Sequence, residues 1–482
     1  MQFEKRRINK KKTVTITTGA LLSTAVIAVL VFTIIKVISF FDVGVLLQAA
    51  GDKIKKDPYG HTNFLILGTG GENHDGGDLT DSMIIASMDT DNQFVSMLSI
   101  PRDLWVKSDT LGSFKINELY FQANRHYEDE TLALNHTKEE IENIIGVPIH
   151  YWIKVDFKGF KEFIDAIGGI EVDVKADIYD PFYPKDGTIL FEPFTIKKGL
   201  QHIDGETALK YARSRKTTSD FDRARRQQEI IFAIKEKLLS ASSIFNIDRI
   251  NNIMNTIRDN SATNITAGEI LTLASYMKGL TSESISHHLI HDDQYQCGGF
   301  LYTPRRDLYN NLFVLVPAGG FDYIHQYANL TFNLQYIEPE AQELRIQILN
   351  GSKKGGVAVE TKQILQRYCF NITRFGNART QDLETTTYYY QQKFDEAGKE
   401  IDSRPKSLDF IKQLIPGVES TEIPQEYIDL GYFETSDLII ELGANYINSP
   451  QYWEDPFYNL PIYIAPSAST EETTTTNDNT TE

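Results

Sequence analysis

FKGFKEFIDAIGGIEVDV, residues 157–174, holds a helix, its stop and a strand in one run. Apolar residues recur at Phe157, Phe160, Phe163, Ile164 and Ile167, the spacing of one helix face. Gly168 and Gly169 end the helix, and Ile170 to Val174 then alternate as a strand. Working outward, FLIL at residues 64–67 is a short apolar run ending in Gly68, as a buried strand before a turn would be. Residues 82–88 and 94–100 are β-rich and joined by Asp-Thr-Asp-Asn, which predicts a hairpin. Residues 138–145 read as a helix. So do residues 224–239, with Ile230, Ile231, Ile234 and Leu238 on one side. Helices and strands mixed over this stretch predict an α/β sandwich.

The 482-residue chain is long enough for two or three domains. A second, small α/β unit is expected over residues 342–447, where LRIQILNGS reads as a strand and turn, GGVAVETKQILQRY as a helix and SDLIIELG as a late strand. Residues 448–482 form a tail, and its Thr-rich end, from about residue 467, is expected to be disordered. At the other end, residues 1–12 carry six Lys/Arg against one Glu, and residues 13–35 are 23 uncharged residues rich in Ile, Val, Leu and Ala. As a helix that run spans roughly 34 Å, enough for a bilayer core. It is too long for a signal-peptide core, so a retained transmembrane helix is expected over residues 13–36. The basic dodecapeptide is then cytoplasmic and the bulk of the chain outside the cell membrane. Residues 37–60 read as a spacer.

The formal charge is −18, and −23 once the basic terminus is set aside. That acidity argues against nucleic-acid binding, which needs a broad basic face. Cys297 and Cys369, 72 residues apart, have no zinc-site spacing; they form one disulfide or remain two buried thiols.

Three clusters carry chemistry. Tyr211 to Gln228 holds five arginines, Arg213, Arg215, Arg223, Arg225 and Arg226, in an otherwise acidic chain. Guanidinium cannot shed its charge, and its planar fork suits phosphate oxygens. Arg213 and Arg215 share a side if extended, and Arg223 and Gln227 share a face if helical, with Asp220 or Ser219 as its N-cap. SIPRDLWV, residues 99–106, places Arg102 and Asp103 after a predicted strand, where α/β sheets collect ligand-binding groups. GTGGENHDGGDLTDSM, residues 68–83, crowds Glu72, Asp75, Asp78 and Asp81 into a glycine-rich loop; such oxygens suit Mg²⁺. It is neither a Walker loop nor an EF-hand, and His74 reads as a solvated loop residue.

Taken in order, NFLILG, LTDSM, SIPRD, KINELY, YWIKVDFKGFKEFIDAIGGIEVDV, KKGLQHIDGETALKYARSR and SDFDRARRQQ resemble the LytR–CpsA–Psr family of bacterial wall phosphotransferases. The resemblance covers residues 61–240 of a catalytic domain expected over residues 61–335. ILNGS, GNART and SDLIIELG resemble the accessory domain often attached to it. What this implies is a three-layer αβα sandwich with a central mixed sheet, an apolar tunnel for a polyprenyl chain and a diphosphate site at its mouth. The family moves a glycopolymer from a polyprenyl-diphosphate carrier to peptidoglycan, usually with Mg²⁺. Carried over by motif, Arg102, Arg213, Arg215, Asp220, Arg223 and Gln227 are the expected catalytic residues. Asp103, Lys115 and Arg226 are expected to bind substrate, and Asp81 to bind metal.

Two positions depart from the pattern. Gly70 stands where the family has a second metal-binding Asp, and Leu79 where it has Arg. Asp78 and Asp75 are the expected replacements for the missing acid. Two rival functions remain: a diphosphatase that releases the polymer to water, and a non-enzymatic, membrane-tethered module that binds wall polymers or regulates envelope assembly.

Overall fold

The computed structural model describes residues 53–71, 76–184, 190–214, 260–266, 284–334, 338–394, 400–401 and 403–452, with isolated positions between 226 and 280 and at 457 and 460. The expected membrane helix at residues 13–36 and the tail from residue 467 lie outside them. Among the described residues no helix is long and apolar enough to cross a membrane.

The fold is mixed α/β. Its centre is a six-stranded sheet built from β1 (His61–Thr69), β2 (Thr80–Asp89), β3 (Phe94–Ile100), β6 (Tyr151–Asp156), β11 (Ser261–Thr263) and β12 (Ile285–Leu289), in the order β11-β6-β1-β2-β3-β12. β1 runs parallel to β6 and β3 parallel to β12, while β1–β2, β2–β3 and β6–β11 are antiparallel. Side chains along β1 alternate between two cores. Leu65 and Leu67 enter one, with residues of α1 (Leu119–Tyr127), α2 (Glu130–Ile145) and α5 (Asp322–Asn333). Phe64 and Ile66 enter the other, with α3 (Phe157–Ala166) and α4 (Gly205–Arg213). With helices on both faces, each strand position meets apolar packing; FLIL is therefore continuous rather than alternating.

Local signals set the helix ends. Asp129, Asp156 and Asp204 cap α2, α3 and α4, accepting from the amides of Leu132, Gly159 and Thr207 at 2.7–2.8 Å. Gly168 and Gly169 both adopt positive φ, which ends α3 and turns the chain into β7 (Ile170–Val174). The hairpin expected over residues 82–100 is β2–β3; β4 (Trp105–Ser108) and β5 (Gly112–Lys115) form the next, and β10 (Gly199–Ile203) pairs with β7.

Two expectations are corrected here. The helix read from residue 138 begins at Glu130, because Ala133, Leu134 and Thr137 extend its buried face back to the Asp129 cap. The spacer read to residue 60 stops earlier. Ile54 is in the core, and buried Asp57 accepts from the amides of Tyr59 and His61 and from the Asn63 side chain.

The second unit has a five-stranded mixed sheet, in the order Asn371–Asn377, Arg345–Asn350, Leu438–Leu442, Thr387–Tyr390, Val418–Ser420. Its helix Val357–Arg367 leads to Tyr368 and Cys369, and these abut the first unit. Tyr368 packs on Phe300 and donates to Gln326 Oε1 (2.7 Å). Arg367 Nε donates to the carbonyl of Gln294 (3.0 Å), and Cys369 is disulfide-bonded to Cys297. One apolar cluster runs through both units.

Candidate active site at one edge of the sheet

The strand directions bring several of the predicted residues to a single edge. β1 and β6 both end there, β2 begins there and β3 ends there; Thr69 is registered against Thr80 on one side and Asp156 on the other, and Met83 against Ile100. Asp81 therefore stands at the start of β2, and Arg102 two residues past the end of β3. Arg102 Nη1 donates to Asp81 Oδ1 at 3.2 Å, and its Nε lies 3.5 Å from Asp103 Oδ2. Lys115 Nζ donates to Asp103 Oδ1 at 2.8 Å. Acid and base alternate through these four side chains. Arg102 and Asp81 are the more exposed pair, at 49% and 36%, and Asp103 and Lys115, both at 21%, brace them from below. The turn is pinned by backbone bonds, Leu104 N to Pro101 O and Asn117 N to Arg102 O, and by Thr80 Oγ1 donating to Asn117 O.

On the β6 side, Phe157 opens α3 directly after Asp156, and the Arg213 guanidinium lies 4.2 Å from the Phe157 ring centroid. Arg213 also sits over the Tyr183 ring and donates to its hydroxyl at 3.2 Å. A guanidinium held against two rings keeps its charge while losing freedom of movement. Gly71 has φ +82° and passes so close to Asp156 that a Cβ there would lie 3.1 Å from Oδ2, so the backbone at Gly71 lies against this carboxylate. Burial pushes the Asp156 carboxyl up, against the hydrogen bond from Gly159 that favours the charged form.

Residues 47–312 match the model of the LytR_cpsA_psr family, more than half of the chain. The chain belongs to this family. Residues 343–446 match a second model, described as LytR cell envelope-related transcriptional attenuator. Over 211 residues the chain is 39% identical to the polyisoprenyl-teichoic acid–peptidoglycan teichoic acid transferase TagV of Bacillus subtilis, covering 43% of this chain and 50% of TagV. It is 28% identical over 270 residues to the transferase TagU of Bacillus anthracis, covering 54% and 80%. The chain spans about half the length of the first curated relatives it matches. The crystal structure of Bacillus subtilis TagV aligns at 30% identity and a TM-score of 0.41, covering 57% of this chain and 99% of that one.

Against the LytR_cpsA_psr pattern, the structure assembles Arg102, Asp103, Lys115, Asp81 and Arg213 at one edge. Arg215, Asp220, Arg223, Gln227 and Asp75 lie outside the described residues. Asp78 is exposed and close enough to Tyr120 for its charge to act on that hydroxyl. Arg226 is the correction. Expected to face substrate, it is 2% exposed and donates to the backbone carbonyls of Tyr211 and Ser214. Its guanidinium secures the end of α4, and so the stretch that presents Arg213.

One group in the LytR_cpsA_psr core escaped the sequence reading. Lys154, near the end of β6, is ion-paired with Glu130 and donates to the Tyr120 hydroxyl at 3.2 Å. Burial works to lower its pKa, but Glu130 and Tyr120 prevail and the ammonium is held above its ordinary value. The available signal was a lysine set between apolar Ile153 and Val155 in YWIKVD, a predominantly apolar strand.

The donor set suits the divalent cation that the LytR_cpsA_psr resemblance implies. Asp81 and Asp78 offer hard oxygens at an exposed edge, and Mg²⁺ commonly takes only one or two protein carboxylates beside substrate phosphates.

Proposed function

We propose that this chain transfers a phosphorylated glycopolymer from a polyprenyl-diphosphate carrier to a sugar hydroxyl of peptidoglycan, at the outer face of the cell membrane. The observation that carries the reading is the placement of Arg102, braced by Asp81 and Asp103, and ring-held Arg213 at one edge of the sheet. The relatives named as teichoic acid transferases support it. The uncharged run at residues 13–35 would anchor the chain, with its basic N-terminus cytoplasmic.

In this reaction the acceptor hydroxyl oxygen attacks the phosphorus that carries the glycan. A new P–O bond forms, the bond from that phosphorus to the bridging oxygen breaks, and polyprenyl phosphate departs with the electron pair. The hydroxyl proton is lost to a base. Little covalent work falls to the protein; positioning and neutralisation of phosphate charge dominate. Arg102 and Arg213 hold the diphosphate oxygens, and fixed guanidinium groups stabilise charge gathering on the leaving phosphate. Lys115 keeps Asp103 in place under Arg102. The tunnel that the resemblance implies for the polyprenyl chain would open at this edge. Mg²⁺, held by Asp81 with Asp78 or Asp75, would neutralise phosphate charge there.

The test is incubation of the full-length chain with a lipid-linked oligosaccharide, Mg²⁺ and peptidoglycan fragments, followed by mass analysis. The expected product is an acceptor glycan enlarged by a phosphoglycan. Phosphoglycan released only to water identifies a diphosphatase. Binding without either product supports the tethered binding module and refutes the transferase.

A further inference from the structure

The hairpin of β8 (Ile178–Pro184) and β9 (Phe191–Ile196) carries apolar side chains on both faces. Its inward face packs Ile178, Tyr183, Phe194 and Ile196 into the core around buried Asp180, and its outward side carries Tyr179, Phe182, Leu190 and Phe191, exposed by 53–62%. A hairpin at a protein surface ordinarily turns its apolar side in and its polar side to water. Here the inward polar groups latch it to the candidate site. The Ser214 hydroxyl donates to Asp180 Oδ2 at 2.9 Å, Arg213 Nη1 donates to the Tyr183 hydroxyl, and Lys210 is ion-paired with Glu192.

We propose that this outward apolar face docks on the lipid bilayer, setting Arg213 beside the membrane from which the lipid-linked diphosphate arrives. This rests on the transferase reading. Three observations favour lipid over a wall glycan. Phe182 and Phe191 meet edge to face, at 89°, and make no flat platform on which a sugar could stack. Leu190 beside them adds aliphatic surface, which acyl chains match and sugar hydroxyls do not. Finally, only 17 residues separate the end of the uncharged run at Ile35 from Lys53, and Ile54 packs in the same core as Tyr183 and Phe194 of the hairpin. Seventeen residues extend at most about 60 Å, so an anchored chain keeps this core within reach of the bilayer. Aromatic side chains favour the interfacial layer of a membrane.

The experiment places the full-length chain in vesicles of phosphatidylethanolamine and phosphatidylglycerol with brominated acyl chains and reads tryptophan emission. Phe182→Trp is expected to lose at least half its added emission relative to unbrominated vesicles. Leu132→Trp, at an exposed position on α2, is expected to lose none. Equal emission of Phe182→Trp in both vesicles overturns the proposal, as does a change evoked only by peptidoglycan fragments. In a second arm, the Phe182→Ser/Phe191→Ser double variant is expected to transfer at least tenfold more slowly from a long-chain carrier in vesicles. From a water-soluble short-prenyl diphosphate it should match the parent within twofold; equal slowing with both carriers counts against docking. If the parent transfers from neither carrier, the transferase reading fails and the quenching result alone decides the docking.

Discussion

Arg102 and Asp81 meet at 3.2 Å across the ends of β3 and β2, an ion pair half open to solvent at the edge where four strands of the central sheet terminate or begin. Such an exposed pair contributes little to stability, about 0–1 kcal/mol. Its placement matters for what it leaves facing outward, a guanidinium oriented by two carboxylates and a carboxylate able to share a cation.

Arg102→Ala should therefore leave folding nearly intact while lowering kcat/KM for transfer by roughly 100- to 1,000-fold, the cost of losing one preorganised donor. Arg102→Lys should recover only part of this, because a point charge does not reproduce the fork. Initial rates with a lipid-linked oligosaccharide measure it. Activity of the Ala variant within threefold of the parent would remove Arg102 from the machinery.

Asp81→Asn should weaken Mg²⁺ binding by at least roughly tenfold, read by Mn²⁺ displacement as well as by turnover. Replacing Asp78 and Asp75 together with Ala separates the acidic loop from β2. An unchanged Mg²⁺ requirement in that double variant would leave Asp81 as the main protein ligand.

Arg226→Ala should behave in the opposite sense to Arg102→Ala. Two buried carbonyls, those of Tyr211 and Ser214, lose their donors. The expected loss is about 2–4 kcal/mol of stability, seen as a lowered thermal midpoint. A lysine at this position is too differently shaped to serve both carbonyls.

Cys297→Ser should destabilise the oxidised chain by about 4 kcal/mol on the loop-entropy model, since the disulfide closes 72 residues. Dithiothreitol should lower the midpoint of the parent but not of the variant. An identical response from both would show that the bond does not form in solution.

Glu419 offers a pH test within the second unit. The Arg404 hydrogen bonds, aided by Lys412 and Tyr390, hold its carboxyl down to about 2, against partial burial. A depressed acid contributes stability in full above its ordinary value near 4.5 and loses it as pH falls through about 2. Glu419→Gln should therefore be less stable than the parent at pH 7, with the difference closing between about pH 4.5 and 2. Chemical denaturation at several pH values measures this, and a gap independent of pH would contradict it.

Much of the architecture was legible because periodicity is local. The FKGFKEFIDAIGG run shows its helix and its stop, and the structure follows it to within a residue. β1 was underestimated as FLIL, since Thr62 and Asn63 are buried polar residues that donate to carbonyls outside the strand, Lys55 O and Pro148 O. The Lys154–Glu130–Tyr120 group was missed for the same reason: its members come from three elements that are adjacent only after folding.

By itself the sequence determined several of the helices and strands, the family, and the Arg-rich and acidic segments that suit a phosphate site. Only tertiary structure decided which arginine faces outward and which inward, that Cys297 meets Cys369, and that the β8–β9 hairpin exposes apolar side chains besides those it buries. A guanidinium donates equally well to a phosphate and to a backbone carbonyl. The choice between them lies in packing between residues far apart in the chain, which local spacing does not encode.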